Sequence, residues 1–133
     1  ERKQRIEQMA DRFGMEDSLN RKMVSYSHGM RQKMMVIAAL VHNPPVWILD
    51  EPMTGLDPNA AYELKKMMRE HADAGNCVFF STHVLEVAEK LCDKIIMIRK
   101  GKDIYQGTLD ELETQHRNKS LEEIFVEMTH EEF

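Results

Sequence analysis

The apolar positions change period several times along the chain, and each change marks an element. Ile6, Met9, Ala10 and Phe13 recur at helical spacing over residues 2–13, and Gly14 stops the run, so the pattern predicts an amphipathic helix. Residues 14–26 are turn-rich and weakly patterned. A second helix is expected from Ser27 to Val41, capped by Ser27 and closed before Pro44-Pro45. Its second half is apolar nearly all round, which predicts deep burial. Val46-Trp47-Ile48-Leu49 is a short continuous apolar run ending on Asp50-Glu51, the pattern of a buried strand with two acids at its carboxyl end. Asp57-Pro58 opens a third helix reaching Gly75, and Cys77 to Phe80 predicts a second buried strand ending in Ser81-Thr82-His83. Strand, helix and strand of these lengths predict a right-handed parallel crossover. A short helix over 84–91 follows, then a hairpin of Ile95–Ile98 and Ile104–Gln106 around Lys100-Gly101. Thr108…Glu111 and Ser120…Glu123 read as capping boxes that open two closing helices. The class is α/β.

Composition narrows the function classes. The 133 residues are 42% hydrophobic and 31% charged, a balance that supports a packed core and excludes a disordered tail. The longest apolar run, Met34 to Val41, is far short of the ~20 residues a membrane-spanning helix needs. The opening Glu1-Arg2-Lys3 carries no apolar stretch, so no signal peptide is expected, and it points to a chain cut from something longer. The net charge of −5 is uneven: residues 1–33 hold 8 basic against 5 acidic groups, and residues 103–133 hold 2 against 9. That acidic end argues against a nucleic-acid footprint. Cys77 and Cys92 lie in apolar stretches without metal-type spacing and are expected to be reduced core residues of a cytosolic protein.

Three constellations carry candidate chemistry. In open α/β sheets ligands sit beyond the carboxyl ends of the strands, where this chain places Asp50, Glu51 and His83. One carboxylate of the pair can hold Mg²⁺ while the other orients and deprotonates an attacking water, and His83 can donate to a terminal phosphate. The alternative is a strand-end turn with solvated acids. Ser27-His28-Gly29-Met30 offers a hydroxyl, backbone N–H groups and a helix N-terminus to an anion, with Arg31 and Lys33 raising the local potential. Read without an anion, it is an ordinary N-cap. Thr54-Gly55-Leu56-Asp57-Pro58 is a turn in which Asp57 caps the next helix.

Taken in order, these motifs closely resemble the ATPase domain of ATP-binding cassette (ABC) transporters. Residues 27–30 match the signature motif, 46–51 the Walker B strand, 54–58 the D-loop and 83 the switch histidine. The segment 92–106 and the helix over 120–129 are also similar to that family, most of all to ATPases that power exporter-type permeases as separate polypeptides. The resemblance implies that Asp50 helps hold Mg²⁺, that Glu51 is the general base, and that His83 meets the γ-phosphate of ATP. It places Gly55, Leu56 and Asp57 at the interface between two such domains. It also implies that Ser27, His28, Gly29 and Met30 face ATP held by the partner domain, with Ser27 and Gly29 on its γ-phosphate. The family's usual leucine, second glycine and glutamine stand here as Tyr26, His28 and Met30.

A phosphate cradle, G-x-x-x-x-G-K-S/T, should accompany these motifs. The one Gly-Lys pair, Gly101-Lys102, is followed by Asp103, and Ile96 stands where the first glycine belongs. The expectation is therefore an incomplete P-loop NTPase fold, the C-terminal portion of an ABC ATPase domain with a short parallel sheet, a β-hairpin and C-terminal helices. Residues 1–45 would be part of the helical subdomain, 46–107 the core sheet and 108–133 the C-terminal helices. On this reading the cofactors are ATP and Mg²⁺, and the partners are a second nucleotide-binding domain and a membrane permease. The protein would be cytoplasmic, peripheral on the inner face of the membrane through the permease, and the chain alone inactive. Two other readings share the motif order. One is the C-terminal lobe of a DNA-repair or chromosome-structure ATPase, which needs sustained heptads where residues 1–13 supply fewer than two. The other is a non-catalytic dimerisation module, which would not need Glu51.

Overall fold

The computed structural model describes residues 1–130 and has an α/β architecture. The last three residues of the expected C-terminal segment lie outside the described residues. The chain divides into two compact units, residues 1–81 and the residues from Thr82 on.

In the first unit, α1 (Arg2–Arg12) and α2 (His28–Leu40) precede β1 (Val46–Asp50), α3 (Pro58–Asp73) and β2 (Cys77–Ser81). The segment between the first two helices forms short 3₁₀ turns at Glu16–Ser18 and Met23–Ser25. It is tied down by Tyr26, buried where the family has leucine, whose hydroxyl donates to the Ser18 carbonyl at 2.6 Å. The core is built from Ala10, Phe13, Met15, Val36, Ile37, Trp47, Leu64, Met67 and Met68. Arg12 links α1 to α3 through Glu63 at 3.0 Å and Glu70 at 2.8 Å. His71 is the buried polar side chain of this unit. Its Nε2 lies 2.7 Å from the Pro44 carbonyl, and its ring meets Trp47 edge to face.

The two strands pair in parallel with Val46 opposite Cys77, Ile48 opposite Phe79 and Asp50 opposite Ser81. Successive side chains alternate between faces, so one face carries Trp47 inward and the other carries Val46, Ile48, Cys77 and Phe79 outward. Burial of both strands was the expectation; instead Val46, Ile48 and Phe79 are 52%, 72% and 58% exposed. A continuous apolar run is what a sheet covered on both faces shows, but only one face is covered within this chain. The same correction applies to α2, where Val36 and Ile37 are buried while Met35 is 65% exposed and Ala38 and Ala39 face outward. Cys77 is exposed and Cys92 half-buried; neither forms a disulfide among the described residues, and neither is a fully buried core residue.

The second unit contains α4 (Leu85–Leu91), the antiparallel hairpin of β3 (Lys94–Arg99) and β4 (Lys102–Thr108), α5 (Leu109–Gln115) and α6 (Leu121–His130). Lys100 and Gly101 both have positive φ, 49° and 77°, as a two-residue hairpin turn of matching twist requires. Both capping boxes form. Thr108 accepts from the Glu111 amide at 3.1 Å, and Glu111 accepts from the Thr108 amide at 3.3 Å. Ser120 and Glu123 do the same at 3.2 and 2.8 Å. Ala88, Ile95, Met97, Leu109, Leu112, Leu121 and Ile124 form this unit's core.

Candidate functional site

The acid pair stands at the end of β1, where the last residue of β2 binds the Asp50 carboxylate and the Glu51 backbone. Ser81 Oγ donates to Asp50 Oδ1, and the same oxygen accepts from the Glu51 amide at 3.1 Å. The Glu51 amide also lies 3.2 Å from the Ser81 carbonyl. Glu51 itself adopts a φ of +44°, a left-handed conformation that costs a non-glycine residue about 1–2 kcal/mol. The strand-end hydrogen bonds and the buried Pro52 offset that strain. Ser81 is the member of this site that the motif reading did not single out. A serine closing a strand has no signature of its own, and only the pairing register sets it opposite Asp50.

The helix tip is built on the loop that follows. Ser27 caps α2, its Oγ accepting from the Met30 amide at 3.2 Å, and its own O–H proton can still be donated outward. His28, Gly29, Gln32 and Lys33 lie on one side of the helix, and that side meets residues 52–57. A Cβ on Gly29 would stand 3.1 Å from the Gly55 carbonyl oxygen, so glycine lets the two backbones approach. Gln32 donates to the Pro52 carbonyl at 3.2 Å, and Lys33 Nζ lies 3.5 Å from Asp57 Oδ1. Lys33 was expected to raise the potential at the helix tip; it is tied instead to Asp57. Met30 is half-buried in the first turn, and Leu56 is half-buried in the loop.

Asp57 caps α3, accepting from the Ala60 amide at 3.2 Å. That amide, with Lys33 beside it, holds the Asp57 carboxyl below the ordinary aspartate range. The first unit thus brings together Ser27, His28, Gly29, Gly55 and Asp57 in one cluster, and Asp50, Glu51 and Ser81 at the head of the same loop. His83 belongs to the second unit, exposed in the turn before α4, where Thr82 Oγ1 accepts from the Val84 amide at 3.0 Å. The Gly101-Lys102 pair closes the β3–β4 hairpin and is no phosphate cradle.

The donor set at the strand end suits Mg²⁺. No cluster of three His, Cys, Asp or Glu able to hold a metal occurs among the described residues. Mg²⁺ takes one or two carboxylates and draws its remaining oxygens from water and phosphate, and the exposed Asp50 can supply such an oxygen. No helix among the described residues is long and apolar enough to cross a membrane.

Over most of its length the chain is similar to known proteins. A family model described as ABC transporter matches residues 1–54. The ABC transporter ATP-binding protein NatA of Bacillus subtilis is 39% identical over 124 residues, covering 93% of this chain and 50% of its own length. The ABC-type transporter ATP-binding protein EcsA of the same organism is 36% identical over 130 residues, covering 96% and 53%. A solved structure titled "Structure of ATP binding subunit of ABC transporter" superposes with a TM-score of 0.90 at 36% identity, over 96% of this chain and 54% of that one. The chain belongs to the ABC transporter ATP-binding protein family. It spans about half the length of the relatives it matches.

Proposed function

We propose that this chain is the C-terminal part of the ATP-hydrolysing subunit of an exporter-type ABC transporter. The observation that carries the reading is the placing, within one unit, of an acid pair held by Ser81 and a capped helix tip held by the loop those acids begin. Glu51 is the general base, taking a proton from the attacking water, an effect typically worth ~10²–10⁴-fold. Its backbone is held in a strained conformation by the end of β2, which supports a fixed aim for the carboxylate. Asp50 holds Mg²⁺, directly or through water, and Mg²⁺ when bound screens the charge on the terminal phosphates. His83 donates a hydrogen bond to the γ-phosphate. Ser27 and Gly29, flanking His28 and followed by Met30, meet the γ-phosphate of ATP carried by a second nucleotide-binding domain. Gly55, Leu56 and Asp57 lie on that domain interface. A membrane permease is the other partner, attaching the protein to the cytoplasmic face; no nucleic-acid partner is proposed.

The α- and β-phosphates need a lysine and a nest of backbone N–H groups that residues 1–133 do not supply. The chain alone is therefore expected to bind MgATP only weakly. Isothermal titration of the 133-residue chain should show no micromolar binding. In the longer polypeptide carrying this sequence, Glu51→Gln should retain nucleotide binding and lose turnover by about 10²-fold or more; unchanged turnover would remove the base assignment.

A further inference from the structure

We propose that His28, Gln32 and Lys33, on one side of α2, clasp the loop 51–57 and act as positioning residues for Glu51. The functional half of this inference rests on the ATPase reading; the mechanical half does not. The loop's own internal bonds are few and long, Thr54 amide to Glu51 carbonyl at 3.2 Å and Leu56 amide to Met53 carbonyl at 3.3 Å. The Ser81 bonds hold the loop's head at Glu51, and residues 52–57 beyond it are what the clasp engages.

The clasp supplies three points of attachment. At the near end, Gln32 donates to the Pro52 carbonyl, one residue from Glu51. At the far end, Lys33 Nζ lies 3.5 Å from Asp57 Oδ1, with the lysine side chain 18% exposed and the aspartate 55%. In the middle the His28 ring lies against Gly55. A Cβ there would run into His28 Cδ2 and Nε2, and the φ of +80° at Gly55 independently favours glycine. A hydrogen bond, an ion pair and a ring filling the space beside Gly55 join one helix face to successive points of one loop. The helix tip bearing Ser27 and the strand end bearing Glu51 consequently move as one body.

The test uses Gln32→Leu, Lys33→Met and the double variant, with Lys33→Arg as the conservative rescue. In the 133-residue chain, hydrogen exchange at the Thr54 and Leu56 amides should accelerate about tenfold in the double variant, while amides inside α3 keep their rates. Lys33→Arg should exchange like the parent. In the longer polypeptide, the double variant should lose about tenfold in turnover with the KM for ATP nearly constant, because a misaimed base affects the chemical step rather than binding. Unchanged exchange at Thr54 and Leu56 overturns the clasp, as does acceleration spread evenly through α3. Unchanged turnover, where Glu51→Gln abolishes it, overturns the positioning role. If Glu51→Gln itself leaves turnover intact, the base assignment falls, and the exchange rates alone decide the clasp.

Discussion

At the scale of single residues, Asp57 serves two elements with two oxygens. One oxygen accepts from Ala60 at the start of α3, and the other faces Lys33 on α2. Both interactions favour the carboxylate, and its folded-state pKa is depressed chiefly by the Ala60 amide. A depressed carboxyl contributes stability that is fully present above the unfolded value and is lost as pH falls through the folded value. Asp57→Asn keeps a capping oxygen but removes the charge. It should melt below the parent at neutral pH, and the difference should close as pH falls through the lowered Asp57 value, under the ordinary aspartate range. A carboxyl titration of Asp57 by NMR should give a midpoint below that of a model peptide. Gly29 and Gly55 make a related point: a Cβ on Gly29 would crowd the Gly55 carbonyl and one on Gly55 would meet the His28 ring, so each leaves room for the other's element.

At the scale of elements, the caps have measurable effects. Thr108→Ala removes one half of a reciprocal box that opens α5, and should cost about 1 kcal/mol in the second unit, read as faster amide exchange in α5. Both boxes, the Ser27 and Asp57 caps and the Lys100-Gly101 turn were legible in the sequence, because each is a local exchange of hydrogen bonds between residues a few positions apart. Three things were not. The apolar runs of β1 and β2 looked buried on both sides, yet sequence shows only which side chains are apolar, not what covers them. Ser81 became part of the acid site only through register, which pairs positions 31 apart. The side of α2 facing the loop could be drawn from the i, i+4 spacing of His28 and Gln32, but the identity of what it faces could not.

At the scale of the molecule, the feature that stands out is the exposed apolar sheet face of the first unit. Val46, Ile48 and Phe79 lie together on it, and the β1–β2 pair has no third strand among the described residues. Unpaired strand edges beside an apolar face favour association of copies. Sedimentation of the 133-residue chain should therefore depend on concentration, and Ile48→Lys should shift it towards the monomer; concentration-independent monomer for the parent would refute this.

The double duty of Ser81 has a consequence in time. The Asp50 carboxylate and the Glu51 amide are synthesised some thirty residues before the hydroxyl that binds both, so a growing polypeptide leaves them without that partner until its second strand zips alongside the first. The strand end is thereby completed only once the two strands have paired.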